Sequence, residues 1–467
     1  MKFLNKTGNS VYLEDIQLHI PFISESEEHL ISLEDVKKSF SFQNMIVCGA
    51  FEITDHGDSR IEKNLLRLSS KRSEESVLPE TEEEIRMISG ETPEVLIKGH
   101  FYEAGGYAKV NRNLAMGLAS VGVKVEIAPV NSRRNDLNEL EVRALSQLKK
   151  KVGSKAIRID SVIPTFGEIS PRASYRILYT TIEATTVPDQ IVQVCNQYDE
   201  VWVTSDFCKD ILIKGGAKKQ IYVIPPGIQT KLYNETAQPH VFRPALKPFV
   251  FCSVFGWSYR KGYDALLRAY IDAFSADDPV SLLIVSRYQY ASERSGIIKT
   301  EIDKFIKQSG KPNPPHIVRC SRVIPEYEMP RIYRACNVFV LPSRGEGYGL
   351  PYAEGSLCGL PCISTNHGGQ TMFLNGRNSI LVDIDRLEKV QRGTMHVHYW
   401  DEQVFPSLKS PEFIKNFGGA MRDSYEYYDE AKNRNAVLQK DLIENYSFSA
   451  SAQRAKDRIV EIWKNLK

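Results

Sequence analysis

From Glu94 onward, short runs rich in β-branched and aliphatic residues alternate with helical segments, and the alternation runs through twice. The first series holds Val95-Leu96-Ile97, Val123 to Ala128, Tyr175 to Tyr179, Glu200 to Val203 and Ile221 to Ile224. The second holds Phe249 to Phe255, Ser281 to Val285, His316 to Cys320, Val338 to Leu341, Pro361 to Ser364 and Ser379 to Val382. Helices between successive strands demand parallel pairing, with a sheet covered on both faces. Two such sheets in tandem predict an α/β chain with a cleft between the carboxyl ends of their strands, where sheets of this kind bind ligands.

A proline-rich polar stretch from 228 to 248 separates the series. The expected divisions are a Rossmann-like domain over 94–240, a second over 241–445, and a last segment over 446–467. Before them, residues 1–55 read as a small β-containing module: Val11-Tyr12-Leu13, Ile16, Leu18 and Ile20, and Met45 to Ile53 suggest strands, and Ser32-Leu33-Glu34-Asp35 a helix start. Residues 56–93, with six glutamates from Glu74 to Glu84, read as a charged linker.

Charge narrows the function classes. Sixty Lys and Arg against 58 Asp and Glu leave a net +2, which argues against a broad basic face for nucleic acid and against an acidic disordered chain. No apolar run reaches the roughly 18 residues of a spanning helix, and the first residues lack the apolar core of a signal peptide, so the cytoplasm is the expected location. The eight cysteines include no CxxC and read as reduced, mostly buried thiols. Asp383-Ile384-Asp385 matches a D-x-D, but it follows the wrong elements for a metal site, and none is expected.

The chemistry concentrates in Pro342-Ser343-Arg344-Gly345-Glu346-Gly347-Tyr348-Gly349-Leu350-Pro351-Tyr352-Ala353-Glu354, directly after the strand Val338 to Leu341. Glycines there let the backbone turn sharply and approach a ligand. Pro351 suits the first turn of a helix, whose free N–H groups and dipole favour a diphosphate. Glu354, about one turn inside that helix, has two oxygens able to accept from a vicinal diol such as a ribose. Glu346 precedes the helix, near where a sugar follows the diphosphate.

This string resembles the E-x7-E motif of family 4 retaining glycosyltransferases, here Glu346 and Glu354. The resemblance extends from Glu94 to Lys467. Gly105-Gly106-Tyr107-Ala108-Lys109-Val110-Asn111-Arg112 is similar to the amino-terminal glycine loop, Arg260-Lys261-Gly262 opens the second domain's first helix, Gly368-Gly369-Gln370-Thr371 follows the strand after the glutamate helix, and the last segment, 446–467, resembles the family's helix that returns to the first domain. The resemblance implies a GT-B fold, a nucleotide-sugar donor, no essential metal, and transfer with retention of anomeric configuration. It implies no cofactor; the donor, a UDP- or GDP-sugar, is a substrate.

By the same resemblance, Lys261, Arg260 and Glu346 are the expected catalytic residues. The donor side comprises Gly105, Gly106, Gly347, Tyr348, Gly349, Leu350 and Glu354, with Val323 and Ile324 meeting the base through their backbone. The family's arginine several residues before the lysine is absent from Phe255-Gly256-Trp257-Ser258-Tyr259-Arg260-Lys261, so either Arg260 or Arg287 supplies the second cation. On the acceptor side the candidates are Glu183 and His100. The expected acceptor is soluble or macromolecular, with a nucleic acid not excluded, and residues 1–93 are candidates to bind a partner. Two alternatives stand beside transfer: a degenerate sugar-nucleotide-binding subunit and a GT-B-type sugar-nucleotide epimerase.

Overall fold

In the computed structural model, the described residues are 92–466 other than 104, 131–136, 138, 149–150, 165–172, 244, 288–294, 321, 323 and 396–399, preceded by residues 2–5, 11–13, 18–20, 28–30 and 51–55. The chain divides into two compact units. One comprises residues 1–92 with 138–147, the other residues 93–137 with 148–467.

The first unit holds β1 (Lys2–Asn5), β2 (Val11–Leu13), β3 (Leu18–Ile20), β4 (Glu28–Leu30) and β5 (Phe51–Asp55). β1 lies between β4 and β5 in an antiparallel sheet, and β2 pairs with β3. The expected helix start at Ser32 and residues 56–91 of the expected 56–93 linker lie outside the described residues.

The second unit is built on two six-stranded parallel sheets. The first contains β6 (Glu94–Gly99), β7 (Lys124–Pro129), β8 (Ile157–Ser161), β9 (Tyr175–Thr180), β10 (Glu200–Val203) and β11 (Gln220–Val223), in the order β11-β10-β9-β8-β6-β7. The second contains β12 (Phe249–Gly256), β13 (Val280–Arg287), β14 (His316–Cys320), β15 (Val338–Leu341), β16 (Cys362–Thr365) and β17 (Ile380–Val382), in the order β14-β13-β12-β15-β16-β17. β10 and β15 are buried along their whole length, as parallel strands covered on both faces must be. β8 is an addition to the strands expected from sequence: its apolar Ile157 and Ile159 alternate with Arg158 and the buried Asp160, which pair with each other at 2.8 Å.

Strand order decides where a ligand can sit. In the second sheet the chain runs outward from β12 through β13 to β14, then returns to β15 and runs the other way. The crevice beyond the carboxyl ends of β12 and β15 is therefore a topological switch point. In the first sheet the reversal falls between β6 and β8.

The helices that matter for the site are α1 (Gly106–Ser120), after β6, α2 (Tyr263–Ala273), after β12, and α3 (Leu350–Leu357), after β15. α4 (Phe448–Asn465) closes the unit against α1: Ala452 lies where a side chain on Gly117 would project. The Arg458 guanidinium, past its midpoint, pairs with the fully buried Glu200 of β10.

A hairpin was not foreseen. β18 (Leu387–Lys389) and β19 (Val404–Pro406) pair antiparallel after the second sheet ends. The arm they carry buries Val390, Met395, Trp400 and Phe405 in one cluster with Leu178, Ile182, Ala184, Val201 and Val203 of the first sheet's domain.

Candidate active site

The site starts at two chain segments that leave neighbouring strands. After β12, residues 259–261 form one 3-10 turn ending at Gly262, which has φ +68°. After β15, residues 342–349 form the glycine loop, and Gly349 caps α3 with φ +93°. The segments are stitched together. The Arg344 amide donates to the Arg260 carbonyl at 2.7 Å. The buried Arg344 guanidinium holds Asp264 with two bonds, at 2.6 and 2.8 Å, and lies 3.7 Å from the centre of the Tyr259 ring. A planar fork suits this bidentate, stacked role.

This frame brings Lys261, Arg260 and Glu346 together. Lys261 Nζ donates to Glu346 Oε1 at 2.6 Å. Arg260 donates through Nη1 to the Gly345 carbonyl at 2.6 Å, and its Nη2 stands 3.0 Å from Glu183 Oε1. Burial, with Arg260 next to it, pushes the Lys261 ammonium below its ordinary pKa. Burial pushes the Glu346 carboxyl up, but the Lys261 and Arg260 charges outweigh it and hold the group net below the usual carboxylate value. The result is a buried anion between two cations.

The glycine loop meets the first sheet's domain directly. The Gly347 carbonyl accepts from Thr204 Oγ1 at 2.8 Å and from Ser205 Oγ at 2.7 Å. A side chain on Gly347 would run into Thr181, and one on Gly345 into the Glu183 carbonyl. Close backbone approach between the domains is what those two glycines permit.

Glu354 lies in a second cluster. It accepts from Lys109 and, through Oε2, from the Tyr333 hydroxyl at 3.1 Å. Lys109 also pairs with Glu326 and donates to the Tyr233 hydroxyl at 2.8 Å, and Tyr233 donates to Glu326 at 2.6 Å. Burial and the Glu326 charge raise the Glu354 carboxyl against the pull of Lys109. Glu326 is also pushed up by burial, yet Lys109 holds it net below its ordinary value.

Lys109, Glu326, Tyr233 and Tyr333 were not singled out from sequence. A signal was present: Lys109, Arg112 and Asn113 stand at helical spacing on α1 and are all buried beside Ala108 and Ala115.

The other expected residues divide. Gly105 caps α1, and a side chain on Gly106 would meet open space. Tyr348 and Leu350 are core side chains, Tyr348 packing on Phe373 at 5.2 Å, so toward a ligand they offer backbone. Ile324 is half-buried against the same core, and Val323 lies outside the described residues. Arg287 ends β13 with its backbone in register with Gly256. Glu183 joins the Arg260 cluster, whereas His100 stands 3.5 Å from Glu103 of its own loop. His367 crosses to the first domain, its Nε2 3.1 Å from Thr185 Oγ1; burial drops its pKa to about 4.

Among the described residues no group of three or more His, Cys, Asp or Glu side chains could hold a metal ion. Asp383 accepts from Asn366 at 2.7 Å and Asp385 from Ser410. No helix among the described residues is long and apolar enough to cross a membrane.

Comparison with known proteins places this geometry. Residues 247–394 match the model for glycosyl transferases group 1. The chain is 27% identical over 192 residues to mannosylfructose-phosphate synthase of Agrobacterium fabrum, covering 40% of this chain and 42% of that protein. It is 28% identical over 178 residues to D-inositol 3-phosphate glycosyltransferase 1 of Catenulispora acidiphila, covering 37% of this chain and 42% of that protein. The matches thus span less than half the length of these relatives. Among solved structures, the sucrose-phosphate synthase of Thermosynechococcus elongatus superposes with a TM-score of 0.55 at 15% identity, over 80% of this chain and 100% of that one. Anabaena HepE, solved with UDP and glucose, gives 0.53 at 12% identity, over 79% of this chain and 100% of that one. The two facing sheets have the GT-B architecture of these neighbours.

Proposed function

We propose that this chain, whose residues 247–394 are a glycosyl transferases group 1 domain, moves a sugar from a nucleotide-sugar to an acceptor hydroxyl with retention and without a metal. The observation that carries the reading is the convergence of Lys261, Arg260 and Glu346 at the switch point between β12 and β15. In this reading the diphosphate lies against the Lys261 and Arg260 cations and the amides of the glycine loop. Glu354 takes the ribose diol, and Glu346 faces the sugar.

Transfer breaks the bond from the anomeric carbon to the diphosphate oxygen, and the electron pair leaves with the diphosphate. The acceptor oxygen forms its bond on the same face and releases its proton toward the leaving phosphate. Charge grows on the diphosphate as the sugar becomes oxocarbenium-like, and cations already fixed in a buried site stabilise that charge without reorganising. The UDP complex of a structural neighbour supports a UDP-sugar as donor, and a GDP-mannose-dependent mannosyltransferase among the relatives supports a GDP-sugar.

A second reading, a donor-binding subunit without transfer, draws on one observation: Glu354 is already engaged by Lys109. One experiment separates them. The protein is incubated with UDP- and GDP-sugars in chelator, with a panel of hydroxyl acceptors, and products are followed by NMR. Transfer predicts a glycoside, or slow donor hydrolysis, with the donor's anomeric configuration. Tight donor binding without turnover supports the second reading, and an altered free sugar-nucleotide points to an epimerase. No donor binding at all overturns the proposal.

A further inference from the structure

Glu183 is held from two sides by the second domain. Its Oε1 stands 3.0 Å from Arg260 Nη2, and its Oε2 accepts from the Trp400 indole N–H at 3.1 Å. Trp400 comes from the arm, not from the sheet that carries Arg260. The arm is anchored to the first domain by more than its apolar residues. The Thr185 amide donates to the Val404 carbonyl at 2.9 Å, and the Val404 amide to Thr186 Oγ1 at 3.0 Å. Its base is tied to the turn that bears Arg260: the Tyr259 hydroxyl donates to Glu388 Oε1 at 3.3 Å, and Glu388 also accepts from Lys409 at 2.8 Å and from Ser407 at 3.0 Å. Trp400 is 2% exposed, so its indole N–H donates to Glu183 away from bulk water.

We infer that Trp400 is a positioning residue: through Glu183 it fixes the Arg260 guanidinium at the crevice, making the hold on a diphosphate depend on an arm that the second domain lends to the first. Glu183 then acts on Arg260 and not on an acceptor. This rests on the reading of the crevice as a diphosphate site. A guanidinium gripped at Nη1 by the Gly345 carbonyl and at Nη2 by an anchored carboxylate presents its charge in one orientation. Releasing the carboxylate from Trp400 lets both side chains turn, and preorganisation is lost.

The test uses Trp400→Phe, which keeps a buried ring and removes the N–H. The full chain and the variant are titrated with UMP and UDP, and with GMP and GDP. Diphosphate affinity is expected to fall about tenfold, the order seen when one hydrogen bond to a charged group is lost, while monophosphate affinity holds. In an Arg260→Met background the same change is expected to add nothing further. Equal losses for mono- and diphosphates, no loss, or additive losses overturn the inference. The indole N–H resonance of Trp400, assigned by its absence in Trp400→Phe, is read in parallel. It is expected to shift in Arg260→Met as Glu183 is released. If the wild-type chain binds no nucleotide, the donor reading fails and this resonance decides alone: a shift keeps the positioning role, and an unmoved signal removes it.

Discussion

Lys261 Nζ donates to Glu346 Oε1 at 2.6 Å, joining a turn after β12 to a loop after β15 across 85 residues of sequence. Glu346 is buried and Lys261 half-buried, and each is the other's nearest opposite charge. The pair sits where the sheet's strand order reverses, so its position follows from topology and its chemistry from two side chains.

Lys261→Met is expected to lower turnover of a nucleotide-sugar by about 10²–10³-fold, the range for removing one electrostatic contact to a developing anion. Donor affinity should fall far less than turnover if the contact strengthens in the transition state. Steady-state rates with calorimetric donor binding check this; equal losses in both would place Lys261 in ground-state binding alone.

Lys109→Met leaves the buried Glu354 and the half-buried Glu326 beside each other without the lysine that pairs with both. Removing one partner of a buried ion pair costs about 3–5 kcal/mol. Lys109→Met with Glu326→Gln should recover part of that loss, because one of the two unpaired charges is gone. Urea unfolding of the single and double variants measures both, and a double variant no more stable than the single one contradicts the assignment.

His367 predicts an acid limb to the stability curve. Its folded pKa of about 4 lies below the ordinary value of 6.5 because burial disfavours the charged ring. Between those values the unfolded chain binds more protons, so stability is full above pH 6.5 and falls as pH drops toward 4. The loss is about 2 kcal/mol after allowing for partial exposure. His367→Gln should flatten that window in a thermal-melt series; an unchanged slope would assign the limb elsewhere. The Glu346 contribution has its own window, starting at the ordinary carboxylate value and completed below it, since its folded pKa is lowered.

Gly347→Ala places a methyl group against the Thr181 side chain. Overpacking of this kind costs about 1–3 kcal/mol. Thr181→Ala should relieve much of it, and a double-mutant cycle by chemical denaturation reads the coupling. Additive costs would show that the loop and Thr181 do not compress each other.

Much of the site was legible because its pieces are local. Gly345, Gly347 and Gly349 with Pro351 mark a strand-to-helix turn, and Glu346 and Glu354 flank it at a fixed spacing. Tyr348 and Leu350 show the limit of that reading: the same string that marks a ligand loop also supplies core side chains. Lys109 was passed over because a lysine on an amphipathic helix ordinarily faces water, and nothing within reach along the chain signals its carboxylates. Those lie on segments more than 200 residues away. Trp400 and the arm escaped for a similar reason, since short strands with mixed polarity carry a weak period.

The twofold strand–helix alternation, set by hydrophobic period, determined from sequence alone that the chain builds two parallel sheets with a ligand crevice. Which charges meet in that crevice was decided only by tertiary structure. Parallel pairing brings β12 beside β15, and the glycines let the two domains touch. Burial makes each cation choose a carboxylate: Lys261 takes Glu346, Arg260 takes Glu183, and Lys109 takes Glu354. Partner choice is a matter of distance and desolvation, and neither is a property of neighbours along the chain.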